Sequence, residues 1–339
     1  MAKQKTNGGG GGPAAIYKMV TDRIIQRLEE GVIPWRKPWR GVPGEGVPAN
    51  LVSKRPYQGI NELLLGSMDY DSPWWVSIKQ ARQLGGAVRV GESPMPVTFW
   101  KRMRYKLGAD SDWNGRVEEV DGQRYGVGFL LRYYKVWNVE QCDGLADRVP
   151  EPVEPVEFGL SALDEVLTDY CTVEGVRLMK PGGDRAYYNP MRDAIKLPPA
   201  TAFYLAALRD DRSRLTDEAK AAGAEARTAT HAHECAHSTG VEKRLNRDMS
   251  GGMGSESYSR EELVAEMCAQ MLCTRFGVSN ERLLDNAASY VAHWRDKLRD
   301  EPQLLMQAGR RAQDAAEYIA PLTYDADTGD TADAESATA

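Results

Sequence analysis

His233-Glu234-Cys235-Ala236-His237 places two imidazoles four residues apart, with a carboxylate directly after the first. On an α-helix, positions i and i+4 share a face one turn apart, so both rings can reach one ion. Glu234 then stands where a carboxylate holds a metal-bound water and acts as its general base. The chain has four histidines: His231, His233 and His237 fall within seven residues, and the fourth is His293. A five-residue pattern also arises by chance, so its surroundings decide. Glu218 to Thr230 (EAKAAGAEARTAT) is rich in helix formers. Ser238-Thr239-Gly240 supplies a stop, with Gly240 suited to the left-handed position past a helix end. A helix of three or more turns carrying the metal pair is therefore expected.

A catalytic zinc needs a third protein ligand and one open position. Ser259 to Leu272 (SREELVAEMCAQML) reads as a second, apolar-rich helix after the glycine-rich Ser250 to Ser255. Glu262 and Glu266 lie four apart on one face, so one can bind the ion while the other steadies a histidine. Glu262 is the expected ligand and Glu266 the alternative. A competing role for Glu262 is a capping box with Ser259, which would leave the ligand position to Glu266. His231 and Cys235 are each two residues from a metal histidine. Both point away from the metal face, so His231 is read as surface or packing and Cys235 is not taken as a ligand. His293 is assigned to core or surface. Tyr258 and His293 are the candidates for steadying an oxyanion, and Ile195-Lys196-Leu197 is a candidate edge strand for an extended substrate.

The elements that must position this chemistry divide into two halves. Residues 1–140 hold 21 Lys+Arg against 14 Asp+Glu, and residues 141–339 hold 22 against 35. Seven of the eight tryptophans lie in the first half. A basic, aromatic half and an acidic, histidine-bearing half imply two modules with different tasks. The expected organisation is a flexible Gly-rich head (1–13), a first domain (14–140), a Pro-rich linker (141–157), a second domain (158–322) and an acidic disordered tail (323–339). Within the first domain, helices are expected at Tyr17–Glu30, Asn61–Met68 and Ser77–Leu84, and strands at Pro96–Tyr105 and Gly126–Val139, with a loop over Gly108–Gly122. The second should open with a helix over Gly159–Val173. Strands near Val176–Met179, Ala186–Tyr188 and Ala194–Leu197 follow, then the two metal helices and two more.

The length allows two domains. Five cysteines without C-x-x-C spacing fit a reducing cytoplasm. There is no secretory h-region and no apolar run of membrane-spanning length, so no membrane partner is expected. Single-stranded nucleic acid is held by positive grooves with aromatic platforms, each stacked base worth roughly 1–3 kcal/mol. Trp35-Arg36-Lys37-Pro38-Trp39-Arg40 interleaves both ingredients; Arg55, Tyr57, Trp74, Lys79, Arg82, Trp100 and Lys101 extend the candidate set. Any one tryptophan also reads as core.

Several motifs together resemble the ArdC-type antirestriction proteins, whose N-terminal region is shared with TraC-type plasmid primases. They are Ile33 to Trp39, Pro56 to Asn61, Ser72 to Ser77, Pro96 to Lys101, Gly183 to Tyr188, Ile195 to Pro199, His233 to Gly240 and Glu261 to Met267. They run in family order over about residues 15–320. The resemblance implies an α+β chain with an N-terminal mixed α/β domain that binds single-stranded DNA. A C-terminal zincin-like metallopeptidase domain follows, protecting incoming plasmid or phage DNA from host restriction in the cytoplasm. His233, Glu234 and His237 take the family's metal and base positions, with a glutamate from Glu262 to Glu266. One Zn²⁺ per chain is expected, another divalent ion being the alternative. DNA-bound proteins are the expected peptidase substrates, and the chain is expected to be a monomer. The alternatives are a DNA-shielding module with a structural metal site, or an accessory part of plasmid replication.

Overall fold

The computed structural model describes residues 12–35, 47–108, 111–150, 160–207, 216–251, 255–278 and 287–321. In chain order the elements are α1 (Pro13–Glu29), β1 (Ala49–Asn50), α2 (Ile60–Gly66), β2 (Trp74–Val76), α3 (Ile78–Gln83), β3 (Ala87–Val88) and β4 (Met95–Lys106). Then come β5 (Val117–Val120), β6 (Gln123–Asn138), β7 (Cys142–Asp143), α4 (Leu160–Glu174), β8 (Arg177–Leu178), β9 (Tyr187–Asn189) and β10 (Ala194–Lys196). The last elements among the described residues are the helices α5 (Ala200–Ala207), α6 (Asp217–Ser238), α7 (Glu256–Arg275), α8 (Ala287–Asp300) and α9 (Leu304–Ile319). By packing, the described residues of 12–20 and 75–148 group in one unit, and those of 21–74 and 149–321 in another. Most of the head, residues 151–157 of the linker and the acidic tail lie outside the described residues.

The first unit is built on a long antiparallel hairpin. β4 and β6 pair from Met95↔Val136 to Lys106↔Tyr125, and β2 joins β6 through Trp75↔Asn138 and Val76↔Trp137. The apolar start of β4, Met95 to Thr98, is buried; its basic far end from Trp100 onward is mostly exposed. The loop expected over 108–122 contains a strand, β5, which pairs with β6 through Val117↔Gly126 to Val120↔Gln123. Its signal was present in Asp121-Gly122, whose φ values of 51° and 71° suit the primed two-residue turns that Asp-Gly favours. Residues 141–148, expected to be linker, are also structured. β7 pairs with β3, and Gln141 and Leu145 are buried.

The second unit is mainly helical. From Leu263 to Thr274 every residue of α7 is buried, as in a helix enclosed on all sides rather than an amphipathic surface helix. α6 and α9 pack against it. α6 opens with Thr216 as cap, its hydroxyl accepting from the Ala219 amide at 3.2 Å, and Asp217 and Glu218 face the positive end of the helix dipole. Its last eight positions, from His231 to Ser238, are buried without exception, as are Thr239 and Gly240 that follow. The small sheet has the order β8-β10-β9, with β10 parallel to β8 and antiparallel to β9. β10 is therefore the central strand, and the expectation that Ile195-Lys196-Leu197 offers a free edge is wrong. Among the described residues no helix is long and apolar enough to cross a membrane.

Candidate metal centre

α6 brings His233 and His237 to one face, and their Nε2 atoms lie 3.1 Å apart. α7 crosses beside them and adds Glu262, whose two oxygens stand 3.5 Å from His233 Nε2 and 3.5 Å from His237 Nε2. Donors on a tetrahedral ion with bonds of about 2.0–2.2 Å are separated by roughly 3.3–3.5 Å. Two imidazole nitrogens and a carboxylate thus fit a divalent cation. Glu266 is buried one turn further along α7 and is not in this cluster. Of the two glutamates considered, Glu262 is the one that converges. The capping box on Glu262 does not form, because α7 begins earlier: Ser255 is the cap, accepting from the Tyr258 amide at 3.2 Å.

The carboxylate that steadies a histidine is Glu261 rather than Glu266. Its Oε1 lies 3.3 Å from His237 Nδ1, and the buried Arg247 guanidinium donates to both its oxygens at 2.9 and 2.6 Å. Burial alone would raise the Glu261 pKa, but Arg247 and His237 outweigh it and hold it low. Burial likewise works against a charged His237, yet Glu261, Glu262 and Glu234 prevail and lift it to about 10. Glu262 is half-buried, which works against its charge, but its contacts with both histidines press its pKa well below the usual carboxylate range. His233 Nδ1 is buried and finds no partner among the described residues. Tyr258 lies close enough to Glu262 to feel its carboxylate. Burial first, then that carboxylate, raise its pKa and keep the phenol protonated. Glu234 is 6% exposed and lies close enough to His237, three residues on, to help raise its pKa. His293 is exposed on α8 beside Trp294 and is not in the cluster.

Two arginines of the loop after α6 secure the end of the metal helix, where the last carbonyls have no intrahelical partner. Arg247 donates to Ala236 O at 2.8 Å and to Thr239 Oγ1 at 2.7 Å. Arg244 donates to Ser238 O at 2.8 Å and binds Glu174 and Asp193. Gly240 is not in the left-handed conformation expected of it. A glycine is needed there for space: a Cβ would lie 2.7 Å from Met249 Sδ and 3.0 Å from Arg247 Nη2. Neither Glu261 nor Arg247 was legible in sequence. The one trace of Glu261 is the Glu-Glu pair that precedes the apolar stretch of α7.

The aromatic and basic candidates fare unevenly. Trp35 is 0% exposed and meets Trp294 edge-on with ring centroids 6.0 Å apart, so it is a core residue and not a stacking platform. Tyr57 is also buried. Arg36, Lys37, Trp39 and Arg40 lie outside the described residues. Arg55 is half-buried, and Trp74 lies half-buried under the Lys54 ammonium at 4.7 Å. On α3, Lys79 is half-buried and Arg82 exposed. Trp100 and Lys101 are exposed on β4. The far end of the hairpin also exposes Tyr105, Phe129, Arg102 and Arg104. There Gly126 and Gly128 leave room for the Trp113 and Tyr105 rings, which lie 5.5 Å apart.

A helix presenting two histidines with a glutamate between them, crossed by a second glutamate-bearing helix, is the arrangement of a zincin-like metallopeptidase domain. The family model described as zincin-like metallopeptidase matches residues 167–311, and that of the N-terminal domain of anti-restriction factor ArdC matches residues 14–137. The chain belongs to the ArdC antirestriction family. It is 30% identical to the antirestriction ArdC protein of plasmid R388 in its metal-free crystal structure, covering 90% of this chain and 96% of that one with a TM-score of 0.62. The Mn(II)-bound form gives 29% and 0.61. DNA primase TraC of Escherichia coli is 30% identical over 310 residues, 90% of this chain but 27% of the primase. The chain thus spans about a quarter of that relative's length. Protein y4eC of Sinorhizobium fredii is 30% identical over 321 residues, 93% of this chain and 94% of its own.

Proposed function

We propose that this is an antirestriction protein that binds single-stranded DNA through residues 14–140 and carries a Zn²⁺-dependent peptidase in residues 158–322. It would act as a monomer in the cytoplasm of a cell receiving plasmid or phage DNA. The observation that carries the peptidase reading is the convergence of His233, His237 and Glu262 beside a buried Glu234. A purely structural zinc site closes on four protein ligands; three donors converge here, and Glu234 would have no task. The Mn(II)-bound relative supports a divalent ion at such a site. A bound Zn²⁺ supplies Lewis acidity to a carbonyl and to water. Glu234 accepts the proton of the attacking water and delivers it to the departing amide nitrogen. Glu261 and Arg247 hold His237 in orientation, and the Tyr258 phenol is a donor for the oxyanion. An extended substrate would pair with a free edge of the small sheet, which belongs to β8 or β9.

For DNA, the far end of the β4–β6 hairpin offers rings (Trp100, Tyr105, Phe129) among cations (Lys101, Arg102, Arg104), the chemistry that single strands require. Shielding of the strand is the main route to protection in this reading, with the peptidase as a separate activity on DNA-bound proteins. Glu234→Gln in the full chain tests it. The variant should keep its Zn²⁺, its melting temperature and its affinity for single-stranded DNA, keep protection, and lose cleavage of a DNA-bound protein. Retained cleavage would remove Glu234 as the base; loss of protection together with cleavage would make proteolysis the route.

A further inference from the structure

His231 and Cys235 are turned away from the metal face of α6, but they are themselves four residues apart and form a second one-turn pair. α4 packs along α6 and brings Cys171 to that pair. Its Sγ lies 3.7 Å from Cys235 Sγ and 4.0 Å from His231 Nε2. The three donor atoms are all within 4.8 Å of one another. Their residues are enclosed, at 2%, 4% and 0% exposure for Cys171, His231 and Cys235.

As neutral groups these three gain little from the arrangement, because a thiol is a weak donor and a weak acceptor. As ligands they are well placed. Two sulfurs on a tetrahedral ion with bonds of about 2.3 Å stand roughly 3.8 Å apart, close to the separation of Cys171 and Cys235. We propose that Cys171, His231 and Cys235 form a second metal site for a soft d¹⁰ cation, Zn²⁺ or Cu⁺, on the face of α6 turned away from His233 and His237. Thiolate donors favour both ions. Binding breaks two S–H bonds, sends both protons to solvent, forms two metal–sulfur bonds and one metal–nitrogen bond, and changes no oxidation state. With Zn²⁺ the two thiolates make the buried site neutral and one water fills the fourth position; with Cu⁺ the three donors complete a trigonal set. In either case the ion ties α4 to the metal helix at the residue next to Glu234.

The two sites differ in sulfur, so they can be read separately in the full chain. Zn²⁺ and Cu⁺ are titrated individually into reduced, metal-free protein, and Co²⁺ serves as the spectroscopic stand-in for Zn²⁺. The parent should bind a second equivalent of one of the two ions. His233→Ala/His237→Ala should keep that equivalent, and Cys171→Ala should lose it. If the ion is Zn²⁺, the Co²⁺ form shows a thiolate-to-cobalt charge-transfer band that survives His233→Ala/His237→Ala. If only Cu⁺ gives the second equivalent, the site stands as a copper site. The parent measurements stand without any variant folding. A single equivalent for both ions, with no thiolate band, overturns the proposal, and so does a second equivalent indifferent to Cys171→Ala in a folded variant.

Discussion

Replacing Glu261 by glutamine and by alanine separates two tasks of one carboxylate. Glu261 accepts from His237 Nδ1 and forms an ion pair with the buried Arg247. Glutamine keeps the shape and one oxygen for His237 Nδ1 and Arg247 Nη2, but its amide nitrogen replaces the oxygen that accepts from Arg247 Nε, and it lacks the charge that makes His237 a stronger ligand. Loss of such an outer partner weakens metal binding about 10–100-fold, equivalent to about 1.4–2.8 kcal/mol. Alanine goes further and leaves the Arg247 guanidinium, 5% exposed, without its anion. An orphaned buried charge costs about 3–5 kcal/mol. Arg247 still donates to Ala236 O and Thr239 Oγ1, which puts the loss near 3 kcal/mol, or a melting shift of about 6–12 °C. Chelator-competition titration with Zn²⁺ reads the first effect, and melting of the metal-free protein reads the second. Parent-like Zn²⁺ affinity in Glu261→Gln, or a metal-free Glu261→Ala melting within about a degree of the parent, would refute the role assigned to this carboxylate.

Glu262→Gln should weaken Zn²⁺ binding far more than Glu266→Gln, since only Glu262 joins the histidine pair; equal losses in the same titration would return the ligand role to Glu266. Trp35→Ala should destabilise by about 3–5 kcal/mol as a core truncation. Trp100→Ala, at 47% exposure, should melt like the parent while losing roughly 1–3 kcal/mol of single-strand affinity by anisotropy. Unchanged affinity would remove the hairpin from the interface. Burial of Glu62 raises its pKa from 4.5 to about 7 against the pull of Arg275. Between those values the folded protein keeps a proton that the unfolded chain has lost, so stability falls as pH rises through that window, by up to about 3 kcal/mol. Glu62→Gln should abolish this slope and be more stable than the parent at pH 8 in denaturant melts; a parent-like slope would contradict it.

Sequence alone determined what depends on spacing along one element. Four-residue separation fixes that His233 and His237 share a face, because the turn of a helix is set by its backbone and not by its neighbours. The same local logic placed α6, α7 and the strands β4 and β6, and set aside His231 and Cys235 as facing elsewhere. It could not say what they face. Which glutamate meets the histidines depends on how α7 crosses α6, a packing outcome that put Glu262 beside both imidazoles, Glu261 behind His237 and Glu266 outside the cluster. Packing also decided that Trp35 is core while Trp100 is exposed, though both sit among basic neighbours in the chain. Pairing decided that β10 is central and not an edge, because hydrogen bonds between strands join residues distant in sequence. Cys171 and Cys235, 64 residues apart, meet only because α4 lies along α6.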